Sequence, residues 1–263
     1  MDRGDLTLRQ PRAYQTIDGI RREVKAKFVV ADGGVSFRLG SYDRTQTLVI
    51  DPVLDYSTFL GDASVYVTGV AVDAAGNTYI TGEATVAFPG NAGSATCSRC
   101  VMGTNKLAVY VTKLNAAGTA VVYSTFIGGS VNPYNSASND QSVALTVDAN
   151  NNAIVTGWTS STDFPMKNPI SSGVASFEDG FLTSLTPDGA GLNFSSRLGG
   201  SSSGSSSASV YPESLTTDVS GNVYVAGTSE SPYLPTTPGA LHTFSPSYSN
   251  SGAFLLKLSS SGR

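Results

Sequence analysis

"GVAVDAAGNTYITG" (69–82), "SVALTVDANNNAIVTG" (142–157) and "ESLTTDVSGNVYVAG" (213–227) are three versions of one phrase. Each reads as a strand, a tight Asp-x-x-Gly/Asn-Asn turn, a second strand and a closing glycine. The closing glycines, Gly82, Gly157 and Gly227, lie 75 and 70 residues apart. A second phrase keeps step: "YVTKLNAAGTAVVYSTFIGG" (110–129), "FLTSLTPDGAGLNFSSRLGG" (181–200) and "FLLKLSSSGR" (254–263), again strand, glycine turn, strand. Two hairpins per unit make four strands per repeat, the pattern of propeller blades. The 3.6-residue apolar period of a helical solenoid is absent.

Composition agrees with strands and turns. Only 14% of the 263 residues are charged, against about a quarter in ordinary globular chains. Ser, Thr, Gly and Asn are abundant, and the aromatics lean to Tyr and Phe. The net charge of −4 comes without any Lys/Arg cluster, which argues against nucleic acid or an anionic membrane as partner. Residues 1–10, "MDRGDLTLRQ", hold no apolar signal-peptide core, and no run of the chain approaches a membrane span.

Small and β-branched residues point to both sides of the repeat strands: Val70, Val72, Tyr79 and Thr81 alternate with Ala71, Asp73 and Ile80. That suits a strand sandwiched between neighbouring blades. In the turns, Asp73, Asp148 and Asp218 are placed to accept backbone N–H bonds, with Asn77, Asn152 and Asn222 closing them. Gly76, Asn151 and Gly221 occupy the position that needs positive φ. A Ca²⁺ loop needs several oxygen ligands in quick succession, and each turn offers one carboxylate. No metal and no cofactor is expected.

With these phrases in place, "LVIDPVLDYSTFLGD" (48–62), "YSTFIGG" (123–129) and "VTGWTSSTDFP" (155–165) resemble bacterial proteins carrying the seven-bladed β-propeller repeat, the SBBP-repeat proteins. "QPRAYQ" (10–15) and "VSFRLGSYDRTQTLVIDP" (35–52) resemble the end of a β-rich domain that commonly precedes such repeats. The resemblance implies large exported or cell-surface proteins without assigned catalytic residues, whose propellers serve binding or adhesion. This chain departs from the pattern at "EATVAFPGNAGSATCSRC" (83–100) and "SPYLPTTPG" (231–239), and it has three repeats only.

The expected fold is therefore all-β. Residues 53–263 should form three four-stranded antiparallel blades, about 55–122, 123–193 and 194–263, the last stopping before its outer strand. Residues 1–52 should form a partial β domain, with strands near 6–9, 22–31, 35–39 and 47–51 in one four-stranded sheet. Closed propellers need about four to eight blades. "DYSTFLG" (55–61), an outer-strand phrase without a blade of its own, would fasten a ring by completing the blade at 213–258. Otherwise the arc leaves apolar faces uncovered, and the chain self-associates.

Few residues offer chemistry. His242 is the sole histidine, which excludes a multi-imidazole metal site. "GSSSG" (200–204) matches G-x-S-x-G at Ser202, but no helix follows as a nucleophile elbow requires. Cys97 and Cys100 form a lone C-x-x-C, read as a local disulfide if the protein is exported and as two free thiols otherwise. Arg3-Gly4-Asp5 is too short to carry weight. Trp158 with Ser160, Ser161 and Asp163 is the leading ligand-contact candidate, since an exposed aromatic beside hydroxyls and a carboxylate suits carbohydrate. The competing reading packs Trp158 between blades, with Phe164-Pro165 ending the strand.

The function expected is a non-catalytic binding or scaffold module, secreted or on the cell surface, for carbohydrate or protein. Its loops at 83–107, 129–141, 158–178 and 228–251 would carry the contacts. The alternative is an extracellular polysaccharide hydrolase or lyase using Asp163, Glu178, Asp179 and Glu230, which requires two carboxylates about 5–10 Å apart in one cleft.

Overall fold

The computed structural model describes residues 11–31, 34–51, 56–60, 65–84, 108–129, 140–170, 178–199, 209–231, 234–242 and 251–262. Among them there is no helix, and sixteen strands make up all of the regular structure. The chain divides into two compact units, residues 1–57 and 58–263.

In the first unit, β1 (Arg12–Ile17), β2 (Ile20–Val24) and β5 (Leu48–Asp51) form a sheet of order β2-β1-β5, while β3 (Ala26–Ala31) and β4 (Gly34–Leu39) pair separately. The single four-stranded sheet expected from the sequence is thus two smaller ones; the strand expected at 6–9 lies outside the described residues. The strand expected over 22–31 breaks at Lys25, and its two halves join different sheets; the Asp18-Gly19 pair, with φ values of +51° and +76°, makes a tight primed turn that folds β1 onto β2. Ala13, Val24 and Ala26 form its small core. The Gln15 side chain spans to the loop before β5, accepting from Asp43 N–H at 2.8 Å and donating to the Asp43 and Gln46 carbonyls.

The second unit is a series of antiparallel meanders. Blade 1 comprises β6 (Val65–Val72), β7 (Thr78–Ala84), β8 (Ala108–Leu114) and β9 (Val121–Ile127). Blade 2 comprises β10 (Asp140–Val147), β11 (Ala153–Thr159), β12 (Asp179–Leu185) and β13 (Leu192–Leu198). Blade 3 has β14 (Val210–Thr217), β15 (Val223–Ser229) and β16 (Gly252–Leu258). The "YSTFIGG" phrase is the fourth strand of the blade before it. Its relative at the start behaves otherwise: residues 56–60 form no strand, and Leu60 packs on Tyr110 and Phe126 of blade 1. The fastening of blade 3 by "DYSTFLG" is not made among the described residues.

Each first hairpin is closed by its own aspartate. Asp73 Oδ1 accepts the N–H groups of Ala75 (3.0 Å) and Asn77 (2.9 Å), and Oδ2 accepts the Asn77 amide (2.8 Å). Asp148 and Asp218 repeat the set with Asn150 and Asn152, and with Ser220 and Asn222. Gly76, Asn151 and Gly221 sit at φ +83°, +63° and +78°. The anionic form is the one being hydrogen-bonded, so its bonds outweigh burial and hold the Asp73 carboxyl below the ordinary range.

Every first strand also carries a β-bulge, at 67/69, 142/144 and 212/214. Opposite each bulge stands a closing glycine. A Cβ on Gly82 would lie 1.7 Å from the Tyr66 carbonyl oxygen, on Gly157 1.9 Å from that of Gln141, and on Gly227 2.2 Å from that of Tyr211. The bulge pushes a carbonyl against the neighbouring strand, and only a residue without a side chain tolerates it.

Blades stack face to face. Tyr79, Val109, Val111 and Ile127 of blade 1 meet Leu145, Val155, Phe181 and Leu185 of blade 2. Ile154, Leu182 and Phe194 on the other side of blade 2 meet Val210, Val223, Val225 and Leu258 of blade 3. Polar ties cross the first joint: Thr68 Oγ1 bonds Ser142 Oγ at 2.7 Å, and Thr125 Oγ1 donates to the Gly189 carbonyl at 2.6 Å. Gly189 lies flat on the Tyr123 ring, and in blade 3 Gly262 repeats this on Phe194.

Replacing Gly157 by Ala should lower unfolding free energy by about 3 kcal/mol, because backbone must move. The same change at Gly239, at φ +83° with nothing near its Cβ position, should cost only about 1–2 kcal/mol. Urea titrations of the two variants check the difference.

Candidate functional site

Because neighbouring strands run antiparallel, alternate connections fall at opposite ends of the blades. At one end are the turns 73–77, 115–120, 148–152, 186–191 and 218–222, five or six residues each. At the other are 85–107, 128–139, 160–178, 199–209 and 230–251, all longer. The four segments named from the sequence as contact-bearing join strand ends on this second side, and most of their residues lie outside the described ones.

Beneath that end, blade 2 holds a buried polar network. Asp140 opens β10, Thr159 ends β11 and Asp179 opens β12, so the antiparallel register brings all three to one rim. Asp140 is fully buried. It accepts the Thr159 hydroxyl, the Gly129 N–H at 2.9 Å and the Ser161 hydroxyl at 3.0 Å from each carboxylate oxygen. Arg197, near the end of β13, donates to Asp179 Oδ2 at 3.0 Å and to the Ser161 carbonyl. Burial pushes the Asp140 carboxyl up to about 6, against the opposing pull of the Thr159, Gly129 and Ser161 hydrogen bonds and the Arg197 charge.

This network decides where the sequence candidates stand. Trp158 is half-buried and Asp163 partly exposed. Ser160 and Ser161 are buried, contrary to a reading that has them facing a ligand: the strand turns inward after Thr159, and the Ser161 hydroxyl is committed to Asp140. Phe164 is buried and stacks on Phe181, ring centroids 4.8 Å apart. Among the carboxylates proposed for catalysis, Asp179 is fully buried in its ion pair with Arg197, and Glu178 accepts the Tyr211 hydroxyl at 3.0 Å. Burial foremost, with the charges of Glu178 and Glu230 adding to it, raises the Tyr211 phenol. His242 is exposed. Cys97, Cys100, Ser202 and the Arg3-Gly4-Asp5 triplet lie outside the described residues. Among the described residues no cluster of three or more His, Cys, Asp or Glu side chains suits a metal.

Reading single motifs misses Asp140 and Arg197. Comparing the repeats position by position would have found them, since register pairs Asp140 with Val65 of blade 1, Asp179 with Ala108 and Arg197 with Phe126. Three positions that are apolar in blade 1 become charged together in blade 2, the signature of a compensated network.

Antiparallel meanders, two of four strands and one of three among the described residues, stacked on shared apolar faces, define the second unit as one of propeller-type blades. The Beta-propeller repeat (SBBP) family model matches residues 55–89 and 193–233, and the Domain of unknown function (DUF7948) matches residues 1–53. The chain thus carries SBBP repeats behind a DUF7948 segment. No curated protein matches it significantly.

Asp140 binds a proton more tightly folded, at about 6, than at its ordinary 3.8. Its contribution to stability is therefore full below that lower value and is lost as pH rises through about 6. Unfolding free energies of wild type and Asp140→Asn, measured at pH 4 and pH 7.5, should show the wild type losing ground to the variant at the higher pH. An equal difference at both pH values contradicts the assignment.

Proposed function

We propose that this chain is a non-catalytic binding or scaffold module of an exported or cell-surface protein, and that its contact surface is the long-loop end of the blades. The observation that carries this reading is the segregation of connections: five tight turns at one end, and at the other the strand ends joined by the five longer connections. Variable loops on a rigid sheet scaffold are where recognition surfaces arise. The buried Asp140–Arg197 network stiffens that end in the middle blade, so Trp158 and Asp163 stand on a firm base. No helix among the described residues is long and apolar enough to cross a membrane.

Carbohydrate is the ligand class we favour. Trp158, the only tryptophan, is half-buried near the rim of blade 2, and Asp163 in the connection that follows it is partly exposed; an aromatic face and a carboxylate are what sugar faces and hydroxyls require. A glycosidase reading needs two carboxylates free to act on one bond. Asp179 is held by Arg197 and Glu178 by Tyr211, which makes that reading the weaker one. For the same reason Asp179→Asn is a poor test of catalysis, since it strands a buried guanidinium.

Trp158 fluorescence provides the assay. Titration with a panel of soluble polysaccharide fragments should shift its emission for at least one of them. Trp158→Ala, followed by calorimetry, should weaken that ligand at least about tenfold, a loss of ~1.4 kcal/mol, with little change in unfolding midpoint. A ligand bound equally well by the variant would place the contact surface elsewhere.

A further inference from the structure

Each blade turns its rear face to the front face of the next, and the two joints are built on one register. Glu83 follows the closing glycine of blade 1 as Trp158 follows that of blade 2. Ser142 stands opposite Gly157 as Pro212 stands opposite Gly227, and the extra residue of the bulge is Thr68 in blade 1 and Val143 in blade 2. Across from Glu83 on the third strand is Val109, and across from Trp158 is Gly180. Set side by side, the first joint has Thr68, Glu83 and Val109 against Ser142, and the second has Val143, Trp158 and Gly180 against Pro212. The apolar parts of the two fronts are alike, with Leu145 and Leu215, and Val155 and Val225, in matching positions.

The first set makes demands that the front of blade 2 meets and the front of blade 3 does not. Thr68 Oγ1 lies 2.7 Å from Ser142 Oγ. Glu83 is buried, and while burial raises its carboxyl, the hydrogen bond from the Ser142 backbone N–H opposes that rise. The second set asks for no donor: Trp158 and Val143 carry neither carboxylate nor hydroxyl, and Pro212 has no N–H. The Pro212 ring instead lies over Gly180, 3.0 Å from where a Cβ would stand, a place that Val109 fills with a side chain in blade 1. The Ser142 N–H can serve Glu83 because the ladder does without it: Pro212 occupies the same site beside a bulge while β14 and β15 stay paired.

We propose that these residues fix the order of the blades: the rear of blade 1, through Thr68, Glu83 and Val109, accepts the front of blade 2 and rejects the front of blade 3. Placed on blade 1, the blade 3 front would bring Pro212 to the place of Ser142. Glu83 would lose the N–H it bonds, Thr68 would lose its hydroxyl partner, and the proline ring would press on Val109. A buried carboxylate stripped of its donor is strongly destabilising. The selection answers a hazard of repeats, whose similar faces can stack out of turn within one chain or between chains. Matching leucines and valines cannot tell the two fronts apart, so the discrimination falls to the polar positions.

Ser142→Pro in the full chain recreates the rejected pairing and should lower the urea midpoint by roughly 1 M. With Thr68→Val and Glu83→Leu already in place the demand for donors is gone, and adding Ser142→Pro should then cost less than about half as much. The Thr68→Val/Glu83→Leu chain without the proline provides a second readout, which stands even if Ser142→Pro fails to fold. Refolded to a urea concentration at which both chains are folded, it should return a smaller fraction at the native elution volume than wild type, the remainder being misassembled. Equal losses from Ser142→Pro in the two backgrounds, no loss on adding it to wild type, or native recovery from the Thr68→Val/Glu83→Leu chain as high as that of wild type each overturns the proposal.

Discussion

A sheet with apolar residues on both faces has to be covered twice, and the architecture of the second unit follows from that requirement. Blade 2 is the only one of the three with a blade on either side. It is there that Phe181 and Leu185 close one joint, while Leu182 and Phe194 close the other. Such a blade cannot leave a lone charge at its rim, because desolvation of an unpaired ion costs several kcal/mol. Asp140, Asp179 and Arg197 answer one another within the same sheet, with Thr159 and Ser161 taking up the remaining oxygens. The polar network is a consequence of the stacking, and it stiffens the end where the long loops emerge.

The bulge and its glycine serve the same requirement locally. By placing an extra residue in each first strand, the bulge increases the strand's twist. The carbonyls of Tyr66, Gln141 and Tyr211 press into the space left by Gly82, Gly157 and Gly227. Twisted sheets of this kind stack with their edges offset, which lets the second hairpin turn of one blade, through Gly189 or Gly262, reach the aromatic on the fourth strand of the one before.

Much of this was legible in the sequence because it is periodic. The Asp and Gly positions of the turns recur at fixed places, so three copies of a phrase are enough to read strand, turn and closing glycine. Less legible was anything set by side-chain direction. Ser160 and Ser161 look like loop hydroxyls beside Trp158, yet the strand's inward turn after Thr159 buries both. Similarly, Tyr56 to Leu60 read as an outer strand because "YSTFLG" nearly copies "YSTFIGG", but composition says nothing of which edge is available to pair. In the first unit, the strand read over 22–31 breaks at Lys25 and its halves join different sheets. That break is permitted by the sequence without being demanded by it.

The aspartate turns draw their hydrogen-bond donors from within six residues, Tyr224 included, with Lys113 on Asp73 at 3.3 Å as an added distant partner, and none of the local bonds needs a second blade. A hairpin closed in this way forms on the microsecond scale, whereas pairing of distant strands must first overcome loop-closure entropy. Each repeat can therefore nucleate on its own as it leaves the ribosome, with the slower steps being the closing of the long connections and the stacking of finished sheets. A repeat that carries its own nucleus can also be duplicated or lost whole without stranding its neighbours' turns, which leaves the number of blades free to change while the fold of each stays the same.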